Sequence, residues 1–191
     1  MSVSSYPKIM LITGERQAGK TTALKQALTA IRQAGLSVSG LLTQRTGPHD
    51  LEVRELHTES AYKLTDPFDA SSATPLCHFK INARAMARSA RALAGSFPTQ
   101  VFVLDEMGPL EFEHRQGWVD ALALLARESY TFAVVVVRPS LVGQAVVELP
   151  APMYSVVHVT SHNREGVPAL IADEVISACA RAARGERETA P

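Results

Sequence analysis

Short apolar runs alternate with amphipathic helical stretches along most of the chain. The first run, Lys8–Thr13, ends at Gly14 and is followed by a helical pattern from about Lys20 to Ala34. Continuous apolar runs that end at turns are typical of strands buried on both faces of a parallel sheet. The same reasoning predicts four further strands at Leu36–Thr43, Val101–Leu104, Thr131–Val137 and Ser155–Thr160.

Helical patterns lie between most of these strands. Asn82 is a suitable cap for a helix that runs to about Ala94, and further helices are predicted at Gly117–Glu128 and Val167–Ala183. Strands that alternate with helices indicate an α/β fold with a mostly parallel central sheet. We therefore expect a three-layer α/β sandwich.

The stretch from Gly47 to Pro75 has a different pattern. Leu51–Thr58 alternates apolar and polar residues, as an antiparallel strand with one wet face does, and Asp66–Ser72 is typical of a loop. We expect a hairpin excursion here rather than a new domain. The chain of 191 residues then forms one domain over residues 1–184, with a flexible tail at 185–191.

The turn after the first strand carries a complete phosphate-binding motif, G-x-x-x-x-G-K-T, followed by Thr22. Glycines let backbone N–H groups turn inward around phosphate oxygens, and the helix start adds the positive end of its dipole. We expect Lys20 to reach the β- and γ-phosphates, Thr21 to bind Mg²⁺ and Thr22 to contact an α-phosphate oxygen. The predicted nucleotide-binding loop consists of Gly14, Glu15, Arg16, Gln17, Ala18, Gly19, Lys20 and Thr21.

Two carboxylates, Asp105 and Glu106, follow the strand Val101–Leu104 directly. Ligands of open parallel sheets bind at the carboxyl ends of the strands. Asp105 suits a contact to Mg²⁺, which prefers oxygen ligands, and Glu106 suits the activation of the attacking water. Because the strand is expected to end here, both side chains can approach the site.

Arg138 follows the strand Thr131–Val137 at the same predicted edge of the sheet. An arginine at this place can stabilise charge on the transferring phosphoryl group, and we include it among the catalytic residues. The alternative is a surface arginine paired with a neighbouring acid. Arg16, inside the phosphate-binding loop, is a rival for the same catalytic role.

Charge and composition restrict the classes of partner. Nineteen basic residues balance nineteen acidic ones, so net charge favours neither nucleic acid nor an anionic membrane. The apolar runs are strand-sized and too short to cross a bilayer. Cys77 and Cys179 are far apart and form neither a disulfide framework nor a metal-ligand spacing. We expect a cytoplasmic protein with no membrane insertion, no nucleic acid and an unknown protein partner.

The segment Asp105–Glu111, which reads DEMGPLE, resembles the signature of the small nucleoside-triphosphatase family known as cancer-related or thermophilic NTPases. Further matches are Lys20-Thr21-Thr22, Gly40–Thr43 and Asn163-Arg164-Glu165, so the resemblance runs nearly end to end. It implies a single-domain enzyme that hydrolyses ATP, GTP and other nucleoside triphosphates slowly and with little base preference. The chain departs from the family at Glu15–Ala18, where small residues and a proline are usual, and at Asp66–Pro75.

Several residues have two interpretations on sequence alone. Asn163 and Arg164 follow the last strand, where they can bind the nucleotide base, or Asn163 can cap a helix beside a solvated arginine. Glu111 can orient water or metal, or it can form a structural ion pair. Arg84, Arg88 and Arg91 recur at helical spacing and form either a solvated face or a contact for an acidic partner or nucleic acid.

The leading function is Mg²⁺-dependent hydrolysis of nucleoside triphosphates, with Lys20, Thr21, Asp105 and Glu106 in the site. A small-molecule kinase is the alternative enzyme, and Gly47–Pro75 is its candidate for an acceptor pocket or lid. The alternative from another class is a nucleotide-gated accessory module for a protein partner, for example one concerned with molybdenum or other metals. A Ras-like GTPase is disfavoured because no N-K-x-D segment appears.

Overall fold

The computed structural model describes residues 8–67, 79–150 and 154–185. Cys77, most of the predicted loop at Asp66–Ser72 and most of the predicted tail lie outside these ranges. No helix within them is long and apolar enough to cross a membrane. The single-domain extent stays a prediction.

The described residues form strands and helices in alternation. In the first half these are β1 (Lys8–Thr13), α1 (Lys20–Gln33), β2 (Val38–Arg45), β3 (Leu51–Glu55), β4 (Ala61–Lys63), α2 (Ala83–Ala94) and β5 (Val101–Met107). In the second half they are α3 (Pro109–Phe112), α4 (Asp120–Arg127), β6 (Phe132–Val137), a 3₁₀ helix (Pro139–Leu141), α5 (Val142–Glu148), β7 (Tyr154–His158) and α6 (Val167–Ala183).

The strands form one seven-stranded sheet within the described residues, in the order β4-β3-β2-β5-β6-β1-β7. Five neighbouring strands pair in parallel, namely β2, β5, β6, β1 and β7, whereas β3 and β4 are added antiparallel at the β2 edge. The predicted α/β fold with a mostly parallel sheet and a hairpin excursion is therefore confirmed.

Alternate side chains of the central strands enter two separate cores. Met10 and Ile12 of β1 pack with α1 and α6 on one face, and Ile9 and Leu11 pack with α2 and α4 on the other. All six residues of β6 are buried. A strand covered on both faces has no wet side to mark with polar residues, which explains the continuous apolar runs in the sequence.

The predicted ends of the helices and strands lie close to the observed ones, and the differences have physical reasons. Asn82 caps α2 as expected, since its Oδ1 accepts a hydrogen bond of 2.8 Å from the Ala85 amide. The prediction that the strand from Val101 ends at Leu104 was wrong, because β5 continues to Met107. The sequence also missed β4, α3 and α5, which are too short for a periodic pattern to identify.

Gly40 allows β2 to lie close to β5. It has φ +110°, and a Cβ at this position would overlap the carbonyl oxygen of Val103. The β2–β5 pairing carries the end of β2 next to Asp105, where the Thr43 hydroxyl donates to the Asp105 carbonyl oxygen at 3.1 Å. This contact places β2 at the edge of the candidate site.

Candidate active site

The loop from Gly14 to Gly19 connects β1 to α1 with an unusual backbone. Gln17 has φ +64°, a left-handed conformation that few residues other than glycine adopt. At Gly14, φ is +146° and a Cβ would overlap the carbonyl oxygen of Val159. Gly19 caps α1 without a side-chain hydrogen bond, and the first turn contains no acidic residue. The amides at this helix start are therefore suited to an anion.

Lys20 folds back into this loop. Its Nζ donates to the carbonyl oxygens of Gly14 at 2.6 Å and Glu15 at 2.8 Å. Burial lowers the pKa of Lys20, the charges of Glu106, Asp105 and Glu15 oppose this effect, and the charge of Arg138 adds to it. The ammonium group thus lies among the charged groups of the site, where phosphate oxygens can compete for its hydrogen bonds.

Asp105 and Thr21 form the link between the loop and the sheet. The Thr21 hydroxyl donates to Oδ2 of Asp105 at 3.0 Å, and Asp105 is only 1% exposed. Burial and the charge of Glu106 raise the pKa of Asp105 to about 7, although hydrogen bonds from the Thr21 hydroxyl and the Thr43 backbone amide oppose the shift. A buried carboxylate beside a hydroxyl is an oxygen donor set that fits Mg²⁺, whose positive charge favours the ionised acid.

Glu106 and Arg138 lie at the ends of two neighbouring strands. Glu106 has φ +77°, and the pairing of β5 with β6 shifts register between Leu104 and Met107. This irregularity replaces the expected end of the strand and lets two consecutive carboxylates line one cleft. Oε1 of Glu106 is 3.6 Å from Nη2 of Arg138, and the side chains are 48% and 54% exposed.

Hydrogen bonds to Glu111 hold the segment that follows β5 in place. Its Oε2 accepts a hydrogen bond of 3.0 Å from the Gly108 amide, and Oε1 accepts one of 3.1 Å from the Trp118 amide. Burial raises the pKa of Glu111 even though these bonds favour the charged form. The carboxylate binds backbone here, in place of the ion pair that the sequence suggested. The bond to Glu111 thereby holds Gly108 next to the Arg138 side chain: a Cβ added at Gly108 would lie 3.7 Å from Nε of Arg138.

A cleft of about 790 Å³ contains most of the predicted site. Its walls include Lys20, Thr21, Asp105, Glu106 and Arg138. The loop residues that line it are Gly14, Glu15, Arg16, Gln17, Gly19 and Thr22.

Ala18, Asn163 and Arg164 are not part of the cleft wall within the described residues. The Asn163 Oδ1 accepts from the Thr160 amide at 2.8 Å, and its Nδ2 donates to the His158 carbonyl at 2.7 Å. Asn163 therefore holds the turn before α6 rather than capping the helix, whose cap is Gly166. Arg164 packs near Gly19. Their contact with a nucleotide stays a prediction.

Sequence reasoning missed the other end of the cleft. Its wall continues over residues from α1, from β2 and β3, and from the segment before α2. These residues are Lys25, Thr43, Gln44, Arg45, Leu51 and Phe79. In the sequence, Thr43 stands out only as the last residue of Gly40–Thr43, which resembles the family. The predicted strand end at Thr43 was the available signal, because ligands bind at the carboxyl ends of parallel strands.

The fold and the site together define a P-loop nucleoside-triphosphate-binding enzyme. The phosphate-binding loop follows β1 and precedes α1, and a buried acid at the end of β5 is bonded to its threonine. No curated protein matches the sequence significantly. Residues 9–172 match the model of the NTPase family NTPase_1.

Solved structures that share the fold include the following two. A human cancer-related nucleoside triphosphatase has a TM-score of 0.65 at 19% identity, over 95% of this chain and 100% of its own. THEP1 from the hyperthermophile Aquifex aeolicus has a TM-score of 0.61 at 16% identity, over 87% of this chain and 98% of its own. Since the family match covers most of the chain, the protein belongs to this NTPase family and is a nucleoside triphosphatase.

Proposed function

We propose that the protein hydrolyses ATP, GTP and other nucleoside triphosphates to the diphosphate and phosphate in the presence of Mg²⁺. The observation that carries this proposal is the hydrogen bond between Thr21 and Asp105. It joins the phosphate-binding loop to the strand end that also presents Glu106. The groups that bind phosphate and a candidate general base, Glu106, therefore share one cleft.

Each charged group has a separate role in this proposal. The loop amides and Lys20 hold the phosphates, and Thr21 and Asp105 hold Mg²⁺, which neutralises phosphate charge when bound. Glu106 accepts the proton of the attacking water, since its exposed carboxylate lies in the cleft and can reach solvent. Arg138 stabilises charge on the transferring phosphoryl group.

The same proposal includes little selectivity for the nucleotide base and a cytoplasmic location for the protein. The cleft residues that we assign to catalysis contact phosphate rather than base, which supports the use of several nucleotides. The free, buried thiol of Cys179 is compatible with the reducing cytoplasm that we expect.

The test is phosphate release from ATP, GTP, CTP and UTP, each with Mg²⁺ and with a chelator. We expect Glu106→Gln to keep nucleotide binding and lose at least about a hundredfold in turnover, because a general base contributes about 10²–10⁴ in rate. Lys20→Ala is expected to lose both. The matched control is Glu113→Gln, an exposed acid outside the cleft wall. Unchanged turnover in Glu106→Gln would show that Glu106 is not the general base.

Phosphoryl transfer to a small acceptor is the second candidate function. It is supported by the extension of the cleft toward β2 and β3, beyond the carboxylates. Hydrolysis releases one phosphate for each diphosphate formed, whereas transfer forms diphosphate without an equal amount of phosphate. Measuring both products in the presence of candidate acceptors separates the two.

A further inference from the structure

The cleft extends well beyond the phosphate-binding loop. Two strands, β6 and β5, lie between β1 and β2, and the cleft runs across the carboxyl ends of all four. Neighbouring strands are about 4.8 Å apart, so the end of β2 lies roughly 14 Å from the end of β1. We define the hairpin end of the cleft as the wall formed by Lys25, Gln44, Arg45, Leu51 and Phe79.

The direction of this extension matters for the ligand. Under the proposed function, the γ-phosphate points toward Asp105 and Glu106 on β5. The nucleoside then leaves the loop on the opposite side, away from β2. The hairpin end therefore lies past the reacting phosphate rather than along the nucleoside, and it is a place for a second molecule.

The hairpin end combines an aromatic and an aliphatic side chain with positive charge. The guanidinium carbon of Arg45 lies 5.4 Å from the centre of the Phe79 ring, and Leu51 adds an aliphatic side chain. Lys25 lies four residues after Thr21 and therefore on the same face of α1. Within the described residues, the hairpin end contributes no acid to the cleft wall.

The two cations are already held in position. Lys25 donates from Nζ to Oε1 of Gln44. Arg45 donates from Nε to the Gly47 carbonyl at 2.9 Å and from Nη2 to the Pro48 carbonyl. These two bonds involve two of the five N–H groups of a guanidinium. Asp50, one of the neighbouring acids, is paired with Lys63 at 2.7 Å, and Glu52, opposite Gln44 on β3, is not part of the cleft wall.

We propose that the hairpin end of the cleft binds a second small ligand beside the nucleoside triphosphate, namely a phosphorylated compound with a planar ring, of the nucleoside monophosphate class. Phe79 and Arg45 stack with the ring, and Lys25 pairs with the phosphate. The inference rests on the proposed function, which fixes the direction of the triphosphate.

The test is calorimetric titration of AMP, GMP, CMP and UMP into protein saturated with Mg²⁺ and a non-hydrolysable ATP analogue. Saturation blocks the phosphate-binding loop, so any remaining binding reports a second site. We expect one saturable site for at least one monophosphate. Phe79→Ala is expected to weaken it by about tenfold or more, as loss of a stacking platform does. Lys25→Ala is expected to weaken it by about tenfold, because the phosphate loses a charge-assisted hydrogen bond. The matched control is Arg54→Ala, a neighbouring arginine outside the cleft wall, with binding unchanged.

Binding of the ATP analogue with unchanged affinity shows that each variant is folded. The proposal is overturned if no monophosphate binds the saturated wild-type protein. It is also overturned if neither substitution weakens monophosphate binding, or if Phe79→Ala weakens the analogue instead, which would place the base of the triphosphate there. Phosphate release by the wild type is scored separately. Hydrolysis without monophosphate binding removes only the second site, and monophosphate binding without hydrolysis removes only the proposed reaction.

Discussion

The hydroxyl of Thr21 donates a 3.0 Å hydrogen bond to the carboxylate of Asp105, which lies 84 residues further along the chain. The bond joins the first turn of α1 to the end of β5. Both oxygens are of the kind that Mg²⁺ prefers, and each orients the other.

We expect Thr21→Ala to raise the Mg²⁺ concentration for half-maximal phosphate release by about tenfold or more, because under the proposed function a Mg²⁺ ligand and its orienting bond are both lost. Thr21→Ser keeps the hydroxyl and is expected to stay within about threefold of the wild type by the same argument. The measurement is a Mg²⁺ titration at saturating nucleotide. Equal Mg²⁺ requirements in all three proteins would exclude Thr21 as a ligand.

Arg138 is expected to act on turnover rather than on binding. Its guanidinium lies 3.6 Å from Glu106 at the strand end that we assign to the γ-phosphate. Arg138→Ala should lower kcat by about tenfold to a thousandfold, since an optimally placed arginine contributes about 10³–10⁵. The value of KM should change little. Steady-state kinetics of Arg138→Ala and of Arg127→Ala, an exposed control on α4, decide this. A change confined to KM would assign Arg138 to binding.

Arg88 is one of the three arginines at helical spacing on α2, and its side chain contacts β3 and β4. Its Nε donates to Glu55 at 3.0 Å, and its guanidinium lies 3.8 Å from the centre of the Tyr62 ring. Burial of Glu55 acts to raise its pKa, but its hydrogen-bonding neighbours, Thr58 and Arg88 among them, and the charge of Arg88 outweigh this and hold the pKa below its usual value. A carboxyl group whose pKa is lower in the folded state stabilises the fold at pH values above its unfolded-state pKa. This stabilisation is lost as the pH falls through the folded-state pKa.

Arg88→Ala is therefore expected to cost about 1 kcal/mol of unfolding free energy at pH 7, and less in acid, at a pH below the lowered pKa of Glu55. Arg84→Ala, on the same helix and exposed, is expected to cost less than about 0.5 kcal/mol at either pH. Urea unfolding at both pH values provides the comparison. A cost for Arg88→Ala that does not depend on pH would point to lost packing on Tyr62 alone.

Gly40 is expected to be intolerant of any side chain. At φ +110°, with the Val103 carbonyl in the place of a Cβ, Gly40→Ala forces β2 away from β5. We expect a loss of about 2 kcal/mol or more in unfolding free energy. Gly143→Ala is the matched control, because Gly143 lies in α5 with open space around its Cβ position. There, alanine should stabilise the protein by about 0.5–1 kcal/mol. Similar stabilities for the two variants, by urea denaturation, would contradict this account of the β2–β5 contact.

The sequence by itself determined the elements that carry their information locally. The run Lys8–Thr13, the loop Gly14–Thr21 and the cap at Asn82 are each specified by residues adjacent in the chain. Burial on both faces makes a parallel strand a continuous apolar run, and phosphate binding requires glycines at fixed spacing. For these reasons the α/β class, the parallel sheet and the phosphate-binding loop could all be predicted.

Only the tertiary structure decided which distant residues meet and how consecutive ones point. The pairing of Thr21 with Asp105 depends on strand order, and the position of Glu106 depends on its φ of +77°. Neither strand order nor a register shift leaves a periodic trace in the sequence. The hairpin end of the cleft likewise draws its residues from α1, β2, β3 and the segment before α2. Because contacts between such segments arise from packing of the whole chain, local patterns cannot contain them.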